Sequence, residues 1–80
     1  MEKSATLLIE IPVGSEAIVS EISYGRKAAL KLQQLGIRSG CNLRLIRRAP
    51  LNGPCLVEVC GREIALGYGL CQKIYVDVKA

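Results

Sequence analysis

The stretch Arg26 to Gly40, RKAALKLQQLGIRSG, decides how the rest of the chain is read. Ala28, Leu32 and Leu35 are four and three residues apart, so they share one face of a helix, with Lys27, Lys31 and Gln34 turned toward water. Gly36 is placed to end that helix. Helices often close on a left-handed residue, and glycine takes that conformation without a β-carbon clash. Ile37 can then fold back onto Leu32, the apolar contact of a Schellman stop. Ser39-Gly40 turns the chain into β-type sequence. The spacing predicts one short helix tied at both ends to strands, a lid on a small sheet.

Working outward, Leu7 to Ile11 is a short apolar lead-in, either one helical turn or an extended segment. Residues 1–6 read as a flexible tail, and Pro12-Val13-Gly14 as a turn. Ala17 to Ile22 is mainly β-branched and reads as a strand, closed by Ser23-Tyr24-Gly25. Beyond the helix, Asn42 to Arg47 alternates, with Leu43 and Leu45 on one face and Asn42, Arg44 and Ile46 on the other. Ala49 to Pro54 is a loop in which Asn52-Gly53 is the strongest turn dipeptide. Cys55 to Cys60 returns, with Cys55, Val57 and Val59 on one face and Leu56, Glu58 and Cys60 on the other. Gly61-Arg62 is read as a tight turn into Glu63 to Leu66. Gly67 to Gln72 has room for a single helical turn, and Lys73 to Val78 is the last strand, with Ile74 and Val76 inward. Gly14, Gly36, Gly40, Gly53 and Gly61 are the structural turn glycines. The count is about five short strands, one short α-helix and an extra helical turn. Short strands at this spacing point to a mainly β domain, a partly open barrel, because closure removes exposed strand edges.

The 80 residues allow one domain, 1–80. A chain of this size buries about 60% of the surface its unfolded form exposes, so its stability is modest. Half the residues are hydrophobic, enough for one core, yet there is no Trp, no Phe and only three Tyr, so that core is Leu, Ile, Val and Ala. No apolar run approaches the ~18–20 residues of a membrane span. The N-terminal stretch carries an acid where a signal peptide needs basic charge. A soluble cytoplasmic protein is expected.

The formal net charge is +4, and Arg38, Arg44, Arg47 and Arg48 fall close together. Such a basic edge suits nucleic acid, anionic lipid or an acidic protein surface, and equally a solvated strand edge that resists aggregation. Histidine, the usual proton-transfer side chain near neutral pH, is absent. No pair of acids is spaced for acid–base work, and there is no phosphate-binding glycine motif. An enzyme is not expected. The scarcity of aromatic rings argues against a proline-peptide groove and against a single-strand nucleic-acid platform. One helix is too few for a helix-turn-helix.

Four cysteines, Cys41, Cys55, Cys60 and Cys71, contain no CxxC pair. A reducing compartment disfavours disulfides. Cys55 and Cys71 read as small core hydrophobes. Cys60, outward on its strand, and Cys41, at a turn, are the weak candidates for a divalent metal such as Fe or Zn, although no cofactor is required.

The order of motifs resembles the ferrous-iron transport protein A (FeoA) family. The matching pieces are Leu32-x-x-Leu35-Gly36-Ile37-x-x-Gly40, Ala49-Pro50-Leu51-x-Gly53-Pro54, Gly61-x-x-Ile64-Ala65-Leu66 and Cys71-x-x-Ile74-x-Val76. Each is weak alone, but they arrive in order from about Leu8 to Val78. The resemblance implies an SH3-like small barrel with added helical segments, no enzymatic activity, and an accessory or regulatory role in bacterial ferrous-iron uptake. It also implies a partner, a membrane ferrous-iron transporter whose cytoplasmic part includes a G-protein-like domain, and hence recruitment to the inner face of the membrane. The same fold occurs in iron-dependent repressors, whose DNA-binding and dimerisation parts this chain has no room for. Ser39 and Val13 stand where the family often has Pro, and Asn52 where it often has Asp. Cys71 stands where it usually has Ala, and Cys55 where it usually has a branched apolar residue, which favours the core reading of those thiols.

Three functional readings follow. The first is a docking module whose patch is Leu51, Leu56, Tyr68 and Leu70, oriented by Arg44, Arg47 and Arg48. The second is a metal or redox sensor, or metal-binding protein, working through Cys41 and Cys60. The third is a nucleic-acid or membrane-surface binder using the Arg38 to Arg48 edge, with nucleic acid the less expected partner. Oligomeric state is left open.

Overall fold

The computed structural model describes residues 6–22 and 26–79. Six strands form one antiparallel sheet: β1 (Thr6–Leu7), β2 (Glu16–Ile22), β3 (Asn42–Arg48), β4 (Cys55–Val59), β5 (Arg62–Leu66) and β6 (Ile74–Val78). Their order across the sheet is β1-β6-β2-β3-β4-β5. The sheet has two free edges, β1 and β5, so it is the small open β architecture that the strand spacing predicts. Helix α1 (Arg26–Gln34) follows β2, and α2 (Tyr68–Cys71) is the single turn expected before the last strand.

The lead-in resolves into both of its alternatives. Thr6 and Leu7 pair with Val76 and Tyr75 as a sixth, two-residue strand, and Leu8–Glu10 makes one 3-10 turn. Leu8 and Ile11 are buried in the core. Of the tail expected over residues 1–6, all but the paired Thr6 lies outside the described residues, as does the turn expected at Ser23-Tyr24-Gly25.

The core is aliphatic, as the composition requires, and contains no buried polar or charged residue among those described. Leu45 of β3 stands opposite Val57 of β4, and Val19 of β2 lies beside Val76 of β6. Two bulges interrupt the alternation, one at Ser20 and one at Ile46. An extra residue on one strand reverses which face the following side chains take. After Ile46, Arg47 therefore stands opposite Leu56 on the outer face, while Arg48 stands opposite the buried Cys55.

The helix stop has the geometry its sequence implies. Gly36 has φ +90°; its N–H donates to Gln33 O at 2.9 Å, and the Ile37 N–H donates to Leu32 O at 2.8 Å. These are the two bonds of a Schellman motif, and Leu32 and Ile37 share the core cluster. Arg62 of β5 donates from Nη2 to Leu35 O at 3.2 Å, placing a cation on the last helical carbonyls. Gly36→Val is therefore expected to cost about 1–2 kcal/mol through left-handed strain in a β-branched residue. A urea midpoint equal to wild type would refute this account of the stop.

Two turns sit one residue earlier than their dipeptides predict. The β4–β5 connection is Cys60-Gly61, with φ +52° and +79°, because Val59 pairs with Arg62. Positive φ at both central residues is the type I′ hairpin turn, and it removes Cys60 from the strand face assigned to it. At the β3–β4 tip the central pair is Leu51-Asn52, with φ +57° and +59°, and the Gly53 N–H donates to Pro50 O at 3.1 Å. Gly53 is needed for closeness instead: a β-carbon there would stand 2.7 Å from the Ala49 β-carbon.

Candidate docking surface

The β3–β4 hairpin carries the most exposed large apolar side chain described. Leu51 is 97% exposed at the tip, in a left-handed conformation. That conformation costs a non-glycine residue roughly 1–2 kcal/mol. Neither burial nor local geometry accounts for leucine at this position.

Two small recesses flank the base of the hairpin. One, of about 160 Å³, lies on the outer sheet face between Arg47, Pro54, Leu56 and Ala65. It follows from register, since Leu56 is paired with Arg47 on one side and Ala65 on the other. The second, of about 190 Å³, lies between Ile9, Arg48, Asn52 and the half-buried Tyr68. Ala49 and Cys55 line both. The fold thus gathers Leu51, Leu56, Tyr68 and Arg47 around one end of the molecule.

The other residues expected to join them have different surroundings. Arg44 lies in a cross-strand row, Glu16–Arg44–Glu58, over β2, β3 and β4. Its Nη2 meets Glu16 Oε2 at 2.5 Å, and its Nε lies 4.0 Å from Glu58 Oε1. With both partners about half exposed, such pairs contribute about 0–1 kcal/mol, but they occupy the guanidinium. Arg48, turned by the bulge, donates from Nη1 to Ile9 O at 2.5 Å and to Ile11 O at 3.3 Å. It staples the lead-in to the end of β3. Of the three arginines, Arg47 alone has a side chain that makes no hydrogen bond or ion pair with the described residues. Leu70 faces a different region, a groove beside α1.

The thiols divide as their positions predict. Cys55 and Cys71 are buried, Cys41 is half-buried and Cys60 is exposed in its turn. The Cys71 thiol is pushed up to about 12, first by burial and then by neighbouring Cys55. Its Sγ donates to Leu66 O at 3.6 Å, and Leu66 is the strand partner of Cys55. A thiol held protonated in this way is the reverse of an activated nucleophile. Among the described residues, no three Cys, Asp or Glu side chains converge on a point that would hold a metal ion. No helix described is long and apolar enough to cross a membrane.

Comparison with known proteins agrees with this architecture. A family model described as the FeoA domain matches residues 6–78. A Methanocaldococcus jannaschii protein named Fe(2+) transport protein A is 41% identical over 64 residues, which span 80% of this chain and 76% of that one. The crystal structure of an iron uptake regulatory protein (FeoA) superposes with a TM-score of 0.83 at 27% identity, covering 96% of this chain and 100% of the other. A manganese-dependent transcriptional repressor in complex with manganese gives a TM-score of 0.89 at 24% identity, covering 98% of this chain but 38% of its own. That likeness is one of fold.

Proposed function

The chain belongs to the FeoA domain family, and on that premise we propose that it is an accessory module of ferrous-iron uptake that docks through its β3–β4 hairpin on the cytoplasmic part of a membrane ferrous-iron transporter. The observation that carries the hairpin assignment is Leu51, held fully in solvent at the cost of left-handed backbone. An apolar tip above shallow recesses is the form of a small interaction surface, in which a few buried side chains supply most of the affinity. Arg47 lies on the outer face beside Leu56, where it would orient the contact against an acidic surface. The relatives' names, an Fe(2+) transport protein and an iron uptake regulatory protein, favour this partner. The proposed place of action is the inner face of the membrane.

The test is a titration of metal-stripped protein against the transporter's soluble cytoplasmic domain, with and without guanine nucleotide and Fe(II), at two salt concentrations. Saturable one-to-one binding is expected. Leu51→Asp combined with Leu56→Asp should weaken it by about tenfold or more, the scale of one lost anchor residue, with the melting temperature retained. Undiminished affinity in the double variant would remove the hairpin from the interface.

A further inference from the structure

A further concave feature lies away from the hairpin. It is an open groove of about 710 Å³ between α1 and the segment from Leu70 to Lys73. Ala28 and Leu30 of α1 and Leu70 give it apolar walls, and Lys27, Lys31 and Lys73 stand around it. No acidic residue lines it among those described, and it shares no lining residue with the hairpin recesses. Leu30 is 53% exposed.

The first turn of α1 and its exposed lysine pair are electrostatically unfavourable in the free protein. That turn contains no acid and begins Arg26-Lys27, against the positive end of the helix dipole. Lys27 and Lys31 are four residues apart, the spacing at which like charges repel on a helix surface. An anionic partner in the groove would relieve both. The spacing of the charges indicates what kind of partner that is. Lys27 and Lys31, four residues apart on one helix, match carboxylates four residues apart on another, and Leu30 and Leu70 between the cations would take that helix's apolar ridge. A second copy of this chain is poorly suited, because its own long helix has no acid to meet the lysines.

We infer that this groove is a second docking site, one that receives an amphipathic helix of a partner protein whose apolar ridge is flanked by Asp or Glu. Leu30 and Leu70 hold the ridge, as in other helix-in-groove contacts, and Lys27 and Lys31 pair with the flanking carboxylates. The inference goes beyond the hairpin reading and does not depend on it.

The probe is a hydrocarbon-stapled helical peptide of about 18 residues, long enough to hold a helix, with leucines at i, i+4, i+7 and i+11 flanked by glutamates. Its twin carries lysine for every glutamate, and phosphatidylglycerol vesicles form a third arm. Amide-shift titration of the full chain should show saturable one-to-one binding of the acidic peptide, with shifts centred on Leu30, Lys31 and Leu70. Leu30→Asp should weaken it by about tenfold or more. The double variant Lys27→Glu with Lys31→Glu should lose the acidic peptide and gain the lysine twin, which mere misfolding would not produce. Equal binding of the two peptides, shifts outside the groove, or vesicle binding in preference to the peptide would each overturn the inference. The same double variant, titrated against the transporter's cytoplasmic domain, separates the two sites. Binding lost there with the hairpin intact would place the contact in the groove. Unaltered binding would leave the hairpin as that domain's site, and the peptide arms would then decide the groove alone.

Discussion

Leu32→Ala is expected to destabilise the domain by about 2–5 kcal/mol, the range for removing a fully buried leucine. For 80 residues the whole stability is of order ~4–12 kcal/mol, so the loss is a large part of it. The size follows from how α1 is attached. Leu32 is the only fully buried residue of the helix, with Ala28, Ala29 and Leu35 half-buried around it. It is also the residue whose carbonyl accepts the Ile37 N–H, so the same position pegs the helix and anchors its stop. The sheet has its own core in Val19, Leu45, Val57, Ile74 and Val76, none of which belongs to the helix. Amide protection over residues 26–38 should accordingly fall before protection in β2, β3 and β6. Leu30→Ala, two residues away but half exposed, should change stability by no more than about 0.5 kcal/mol. A urea midpoint for Leu32→Ala within error of Leu30→Ala would mean that the helix is held by something else.

That contrast between neighbouring leucines marks how far the sequence could be read. The buried face of α1, its stop and the inward residues of β3, β4 and β6 were legible because each rests on spacing within a few residues. The same local signals misplaced the two hairpin turns by one residue. A turn dipeptide shows that positive φ is accessible, but strand pairing decides which residues must adopt it, and here they are Cys60 with Gly61 and Leu51 with Asn52. The site was less legible for the same reason. Arg44 finds Glu16 across 28 residues and Arg48 finds Ile9 across 39, and both partnerships depend on register or on the bulge at Ile46. A charge cluster in sequence therefore became one outward arginine, one ion-pair row and one staple. Leu51 could be picked out because it lies in the loop that carries the Asn52-Gly53 turn dipeptide. Leu30 could not, since an apolar residue among lysines shows its neighbours only when Leu70 is brought beside the helix.

Raising the pH above 9 should destabilise the folded chain through Cys71, by roughly 1 kcal/mol per unit for one retained proton, and Cys71→Ala should flatten that slope. The thiol titrates near its ordinary 9.0 when unfolded and at about 12 when folded. Between those values the folded form keeps a proton that the unfolded form has released. Unfolding then liberates a proton, and stability falls as pH rises. Below pH 9 both forms are protonated, and this group leaves no pH dependence. The cause is physical placement: a thiolate at this site would lie in an aliphatic core, beside Cys55 and against the Leu66 carbonyl, with no cation among the buried residues described to receive it. Tyrosine and lysine titrations overlap the upper part of the range but are common to both proteins, so the difference in slope isolates the thiol. Urea unfolding at pH 8, 9, 10 and 11 under reducing conditions should show the wild-type and Cys71→Ala midpoints converging as pH rises, with the alanine protein the flatter of the two. Parallel curves would show that the Cys71 proton leaves the folded protein as readily as the unfolded chain, and that α2 opens to water without the domain unfolding.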